Sequence, residues 1–193
     1  MKYSRQQIID FIVLALRFYL AYFMIDYGWS KMTGGQFHIW DQKILDKPLK
    51  EVDKFYLAWH LFSMSTVFNV VVGSTQIIGG LLLMFNQTVL LGALTLIPVL
   101  IQILLVDIAF TTNMFGAALP LRLTIMLLCD IGILYYHKDK MIPVIKLLTS
   151  SGLGKFKYKW WTYIIVLLLA LPIDFMFALI AWPCKMLIYW LTK

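Results

Sequence analysis

The chain has 193 residues, 61% of them hydrophobic and 14% charged, with a formal net charge of +7. Soluble domains are about 45–50% apolar and about 25% charged, so this composition excludes an ordinary soluble domain and fits one integral membrane domain. The basic residues lie between apolar runs and form no basic motif, which argues against nucleic acid as a partner and for a lipid bilayer.

The amino terminus turns apolar after Arg5, as a signal peptide would. Arg17 interrupts the run, however, and no Ala-x-Ala site follows, so it reads as a retained first span. A span needs about 20 mostly apolar residues. Span 1 extends from about Ile8 to Met32 and ends at Gly34-Gly35. It carries Arg17, Asp26 and Lys31. Each charged side chain at mid-membrane costs about 3 kcal/mol on insertion scales. The rest of the chain must therefore supply partners.

A connecting segment follows. Asp46 is placed as an N-cap with Pro48 in the first turn. Leu49, Val52, Phe55, Tyr56 and Trp59 then recur at helical spacing, with Lys50, Glu51, Asp53 and Lys54 opposite. This predicts an amphipathic interfacial helix over about 46–60, resting on lipid or serving as a lid over the bundle. Trp40, Phe55, Tyr56, Trp59 and Phe62 suit an aromatic belt.

Span 2 runs from about Ser65 to Phe85 and span 3 from about Thr88 to Thr111. The Asn86-Gln87 turn makes them antiparallel neighbours, and Pro98 is expected to kink span 3. Asn113 to Pro120 is a turn, and span 4 covers about Leu121 to Tyr136. The predicted domains are a four-span bundle over 1–137, a basic connector over 138–159, and a fifth apolar span with a surface tail over 160–193. The fifth span is expected to break or bend at Pro172 and to lie along the surface after Pro183. The fold class is all-α. Lys2, Arg5 and the lysine cluster over 138–159 place the amino terminus in the cytoplasm.

Cys129 and Cys184 lie far apart with no Cys-x-x-Cys, so they read as small buried apolar residues. His38, His60 and His137 avoid the span centres, which removes haem ligands, and no metal site is expected.

At about 1.5 Å rise per residue the polar residues fall at two depths. Asp26, Lys31, Asp107 and Arg122 form an outer level; Arg17, Gln76, Gln102, Asp130 and Asp174 form a middle level. Opposite charges at one depth should pair, giving Arg17 with Asp130 and Arg122 with Asp107 or Asp26. Gly73, Gln76 and Gly80 share a face of span 2 that must meet another helix, which aims Gln76 at Arg17 or at a bound carbonyl. On span 1, Arg17, Ala21, Met24, Gly28 and Lys31 form a stripe opposite Asp26, so two polar faces predict an enclosed helix. Such a network can hold a bundle in register, bind a headgroup or quinone, or carry protons; arginines among the acids count against the last.

An early intramembrane Arg17, Tyr27-Gly28-Trp29-Ser30-Lys31, Gln76-Ile-Ile-Gly-Gly80, Leu91-Gly92-Ala93 and Pro98 resemble the DoxX-like family of small four-helix membrane proteins. Gln36-Phe37, Leu45-Asp-Lys-Pro-Leu49 and Glu51-Val52 resemble an uncharacterised bacterial branch of it. The resemblance covers about residues 11–136. It implies a four-helix core in a bacterial inner membrane, with Arg17, Gly28, Lys31 and Gln76 as matching positions. It also implies a quinone-linked accessory subunit, because DoxX-type proteins include small subunits of quinone-linked thiosulfate oxidation. Relatives in membrane-protein assembly imply instead a scaffold with a membrane-protein partner or a homo-oligomer. No redox centre is evident in the chain, so catalysis would need a bound cofactor or a partner.

Overall fold

The computed structural model describes residues 4–37, 44, 46–111, 115–150 and 158–191. Trp40, His38, Asn113 and the lysines at 155, 157 and 193 lie outside the described residues, as do the side chains of Asp174 and Cys184. The described residues are helical, without strands, in two compact units, Met1–Lys146 and Leu147–Lys193.

In the first unit α1 spans Arg5–Met32. A 3₁₀ turn, Leu49–Glu51, leads into the short α2, Lys54–Ser63. Then come α3 (Thr66–Met84), α4 (Val89–Phe110), α5 (Ala118–Tyr136) and α6 (Lys138–Ser150), within which the first unit ends. Four helices, α1, α3, α4 and α5, are long and apolar enough to cross a bilayer. They close into a ring in which α1 packs on α3, α3 on α4, α4 on α5 and α5 on α1.

Local sequence explains the element ends. Ser4 caps α1 in a reciprocal capping box with Gln7. Asp53, not Asp46, caps α2: its carboxylate accepts from the Phe55 amide at 2.8 Å. The chain before it is a 3₁₀ turn that leaves through an extended Val52, so an α-helix can start only after that residue. α2 turns Phe55, Ala58 and Trp59 inward onto Phe37, Val106 and Phe110. Its aromatic side covers the bundle end, rather than resting on lipid.

Glycine sets the α1–α3 distance. A Cβ on Gly28 would meet the Gly73 carbonyl at 2.5 Å, and one on Gly73 would meet that of Gly28 at 2.6 Å. Neither position admits a side chain without moving backbone. Gly92 approaches the α3 backbone in the same way, a Cβ there lying 2.8 Å from the Leu83 amide. The core runs through Leu20, Met24, Leu83, Leu96, Leu100, Met126 and Ile133, all fully buried.

Several expectations change. α1 is not enclosed. It buries one stripe, Val13, Arg17, Leu20, Ala21, Met24, Gly28 and Lys31, while Tyr22, Asp26 and Trp29 stay exposed on the other side. Part of the connector is helical, because α6 continues through Pro143. Cys129 is half-buried and a free thiol. In the second unit α7, Trp160–Leu191, runs unbroken through Pro172 and Pro183. α4 is continuous through Pro98, as a kinked helix also is.

Candidate functional site

Apart from Asp174, whose side chain is outside the described residues, the eight polar positions separate into groups that differ from the expected pairs. Arg17 does not meet Asp130. Its Nε donates to the Leu83 carbonyl at 2.8 Å, Nη2 to the Met84 carbonyl at 3.1 Å, and Nη1 to Asn86 Oδ1 at 2.7 Å. Thr88 takes the neighbouring carbonyls, its hydroxyl donating to Leu82 and its amide to Phe85. The last carbonyls of a helix have no intrahelical donor, and here α1 supplies one. The guanidinium also sits at the negative end of the α3 dipole.

α1 is 28 residues long, so at 1.5 Å per residue it extends about 42 Å, past the ~30 Å hydrocarbon thickness. Its hydrogen bonds set Arg17 level with the α3–α4 turn. Beyond it, Gln6, Asp10 and the Tyr136 hydroxyl hydrogen-bond together and tie the start of α1 to the end of α5.

Gln76 is fully buried against Met24, its Nε2 lying 3.9 Å from the sulfur, and Oε1 has no partner among the described residues. Asp130 is fully buried, and both its oxygens lack a hydrogen-bond partner there. Neither reaches Arg17. Just past α5, the buried Nε2 of His137 is likewise unpartnered, and burial, then Lys140 and Arg17, pushes this imidazole below its ordinary pKa.

The other end of the bundle is different. Asp26, Lys31, Asp107 and Arg122 line one chamber of about 270 Å³, joined there by Tyr27, Ser30, Gln36 and Trp59. Lys31, 4% exposed, donates from Nζ to Gln36 Oε1 at 2.7 Å. Arg122 does not pair with Asp107 or Asp26. Its guanidinium stacks over Phe23, 4.2 Å from the ring centroid, and lies 5.5 Å from that of Tyr27. Lys31 Nζ lies 5.7 Å from the same Tyr27 centroid. The Asp107 carboxylate, 8% exposed, makes no hydrogen bond or contact ion pair among the described residues. Stacking consumes the face of a guanidinium and leaves its in-plane donors free. The chamber thus presents donors and an acceptor that the described residues leave unfilled.

A second cavity, about 210 Å³, adjoins the first through Lys31, Gln36, Trp59, Ile103 and Asp107. It is a groove between α3 and α4, walled by Phe68, Val71, Val72, Val99 and Val106, with Gln102 exposed along it. Phe37, Trp59 and Phe62 roof it from the α2 side. Gln36, Tyr27 and Trp59 were not among the predicted site positions. Gln36 could have been suspected from its place just after Gly34-Gly35, where a turn folds the chain back on Lys31: the Gln36 amide hydrogen-bonds the Ser30 carbonyl at 3.2 Å. Among the described residues no group of three metal-ligating side chains comes together.

No solved structure matches the chain. It is similar to an uncharacterized protein, YwoB, of Bacillus subtilis (strain 168), at 26% identity over 135 residues, which is 70% of this chain and 82% of the relative. Residues 12–119 match the DoxX family, a span that includes α1 through α4 and both walls of the groove. With four membrane-length helices and a match over more than half its length, the chain belongs to the DoxX family of membrane proteins.

Proposed function

We propose that this protein is an accessory membrane subunit that holds an amphiphile, a quinone or a similar molecule, for a membrane redox system. One observation carries the reading. An apolar groove facing the lipid side of α3 and α4 meets a polar chamber at Lys31 and Asp107. A tail in the groove and a head in the chamber would satisfy both. Binding sites of this kind combine mostly apolar walls with a few converging polar groups. The link to a redox system rests on family likeness. The site is assigned to the Lys31 level, because Arg17 is held by the carbonyls at the end of α3 and by Asn86.

The test is to purify the full chain and measure retained and added amphiphile by native mass spectrometry, with a short-chain ubiquinone analogue among the probes. The expected result is one amphiphile per chain, weakened by Lys31→Met and unaffected by Gln87→Ala on the distant turn. A wild-type protein that retains no amphiphile and takes up no quinone would overturn the reading. The competing role, a scaffold in a membrane complex, has its own support in the polar groups spent on packing, as at Arg17. It predicts a stable partner co-purifying from native membranes.

A further inference from the structure

We infer that the chamber selects a phospholipid with a zwitterionic aminophosphate head, of the phosphoethanolamine type. The inference rests on the amphiphile reading and names the class of head.

Charge balance comes first. The chamber wall carries two cations, Lys31 and Arg122, and two acids, Asp107 and Asp26. A head with one sign only would leave one pair facing a like charge or nothing. Donor geometry narrows the cationic half. Arg122 stacks on Phe23, so its in-plane N–H groups remain available. Arg122 and Lys31 lie 5.5 and 5.7 Å from the Tyr27 ring centroid and line the same chamber. Together they suit a phosphate, whose several acceptor oxygens can use more than one donor.

The acidic half narrows the rest. An ionised carboxylate only accepts hydrogen bonds. Asp107 is nearly buried and has no such bond among the described residues. A buried acceptor left open costs about 1–3 kcal/mol. A primary ammonium offers three N–H donors; a quaternary ammonium offers none. A glycerol headgroup brings the same phosphate but no cation for Asp107 and Asp26. A quinone ring presents acceptors only, which leaves Asp107 facing carbonyl oxygens. The adjoining groove, walled by valines and phenylalanines, takes the start of an acyl chain.

The experiment is a competition on the purified full chain. Delipidated protein is titrated with phosphatidylethanolamine, phosphatidylglycerol, phosphatidylcholine and a ubiquinone analogue, and the bound species are counted by native mass spectrometry. The expected result is preference for phosphatidylethanolamine by about tenfold over each of the others. Asp107→Asn should reduce its margin over phosphatidylglycerol to about threefold or less, because one repulsive charge is gone. Arg122→Gln should lower retention of both phospholipids. Asp26→Asn, at an exposed rim position, provides a second variant that spares the core. Equal retention of all four probes, or a preference unchanged in both acid variants, overturns the assignment of the head while the amphiphile reading stands. Retention of none overturns both. The wild-type competition decides the matter even if a variant fails to fold.

Discussion

Arg17 and Arg122 are both arginines inside membrane-spanning helices, and their surroundings are opposite. Arg17 is 5% exposed and gives three hydrogen bonds to the end of α3 and its turn. Arg122 is half-buried, lies against two aromatic rings and lines a cavity. The first arginine is consumed by the protein; the second is offered to something else. Intramembrane charge marks function by default, and this pair shows when the default fails. The deciding feature is whether backbone carbonyls lie within reach.

The largest effect should come from Arg17. Replacing it by Ala orphans the Leu83 and Met84 carbonyls, at about 2 kcal/mol or more given about 1–3 kcal/mol per unsatisfied buried group, whereas the exposed Asn86 can turn to water. Denaturant unfolding in detergent measures it. A loss below 1 kcal/mol would put Arg17 in the same class as Arg122. In the double variant with Asp130→Ala the two effects should add within about 0.5 kcal/mol, since the residues do not meet.

Next is Gly73→Ala, whose new Cβ would lie 2.6 Å from the Gly28 carbonyl. Overpacking of this kind costs about 1–3 kcal/mol. Gly132→Ala is the control, because nothing lies within 4 Å of its Cβ position. It should leave the melting temperature unchanged or raised. Asp130→Ala should raise stability by about 1 kcal/mol, because it deletes a buried group with no partner among the described residues. A fall in stability would mean that the carboxyl is satisfied after all.

Lys31→Met should change unfolding free energy by less than about 1 kcal/mol, since one lost hydrogen bond is offset by one buried charge removed, while amphiphile retention drops. That split between stability and binding is what separates the chamber end from the Arg17 end. The smallest effect concerns pH. The folded pKa of His137 is depressed, so the unfolded chain binds its proton first. Its contribution to stability is full above the unfolded pKa, about 6.5, and is lost as pH falls through the folded value. The melting temperature of wild type should therefore decline from pH 7 to pH 5 more steeply than that of His137→Gln.

The spans, the tight α3–α4 turn and the glycine-bearing face of α3 were readable from hydropathy and spacing, because each depends on residues near one another in sequence. The partners were not. Depth along a helix lists which charges share a level, but not which way each helix is turned. Matching charges to charges also overlooked the uncapped carbonyls of α3, which are invisible as residue types. Asp46 and Asp53 both precede apolar residues, and only the extended Val52 between them decides which is the cap. The Asp26 face was misjudged because a polar residue near a helix end can be solvated or set at a headgroup level as readily as buried.

The hydrogen bonds from Arg17 also bear on how the chain is made. When α1 enters the translocon, α3 has not yet been synthesised, and the guanidinium has no carbonyls to meet. The buried charge then lacks the partners that offset its desolvation, and that persists until about seventy more residues have emerged. Release of α1 alone into lipid is disfavoured for that interval. The first span should therefore linger beside the insertion machinery until the α3–α4 hairpin arrives, so that one arginine sets the order of assembly.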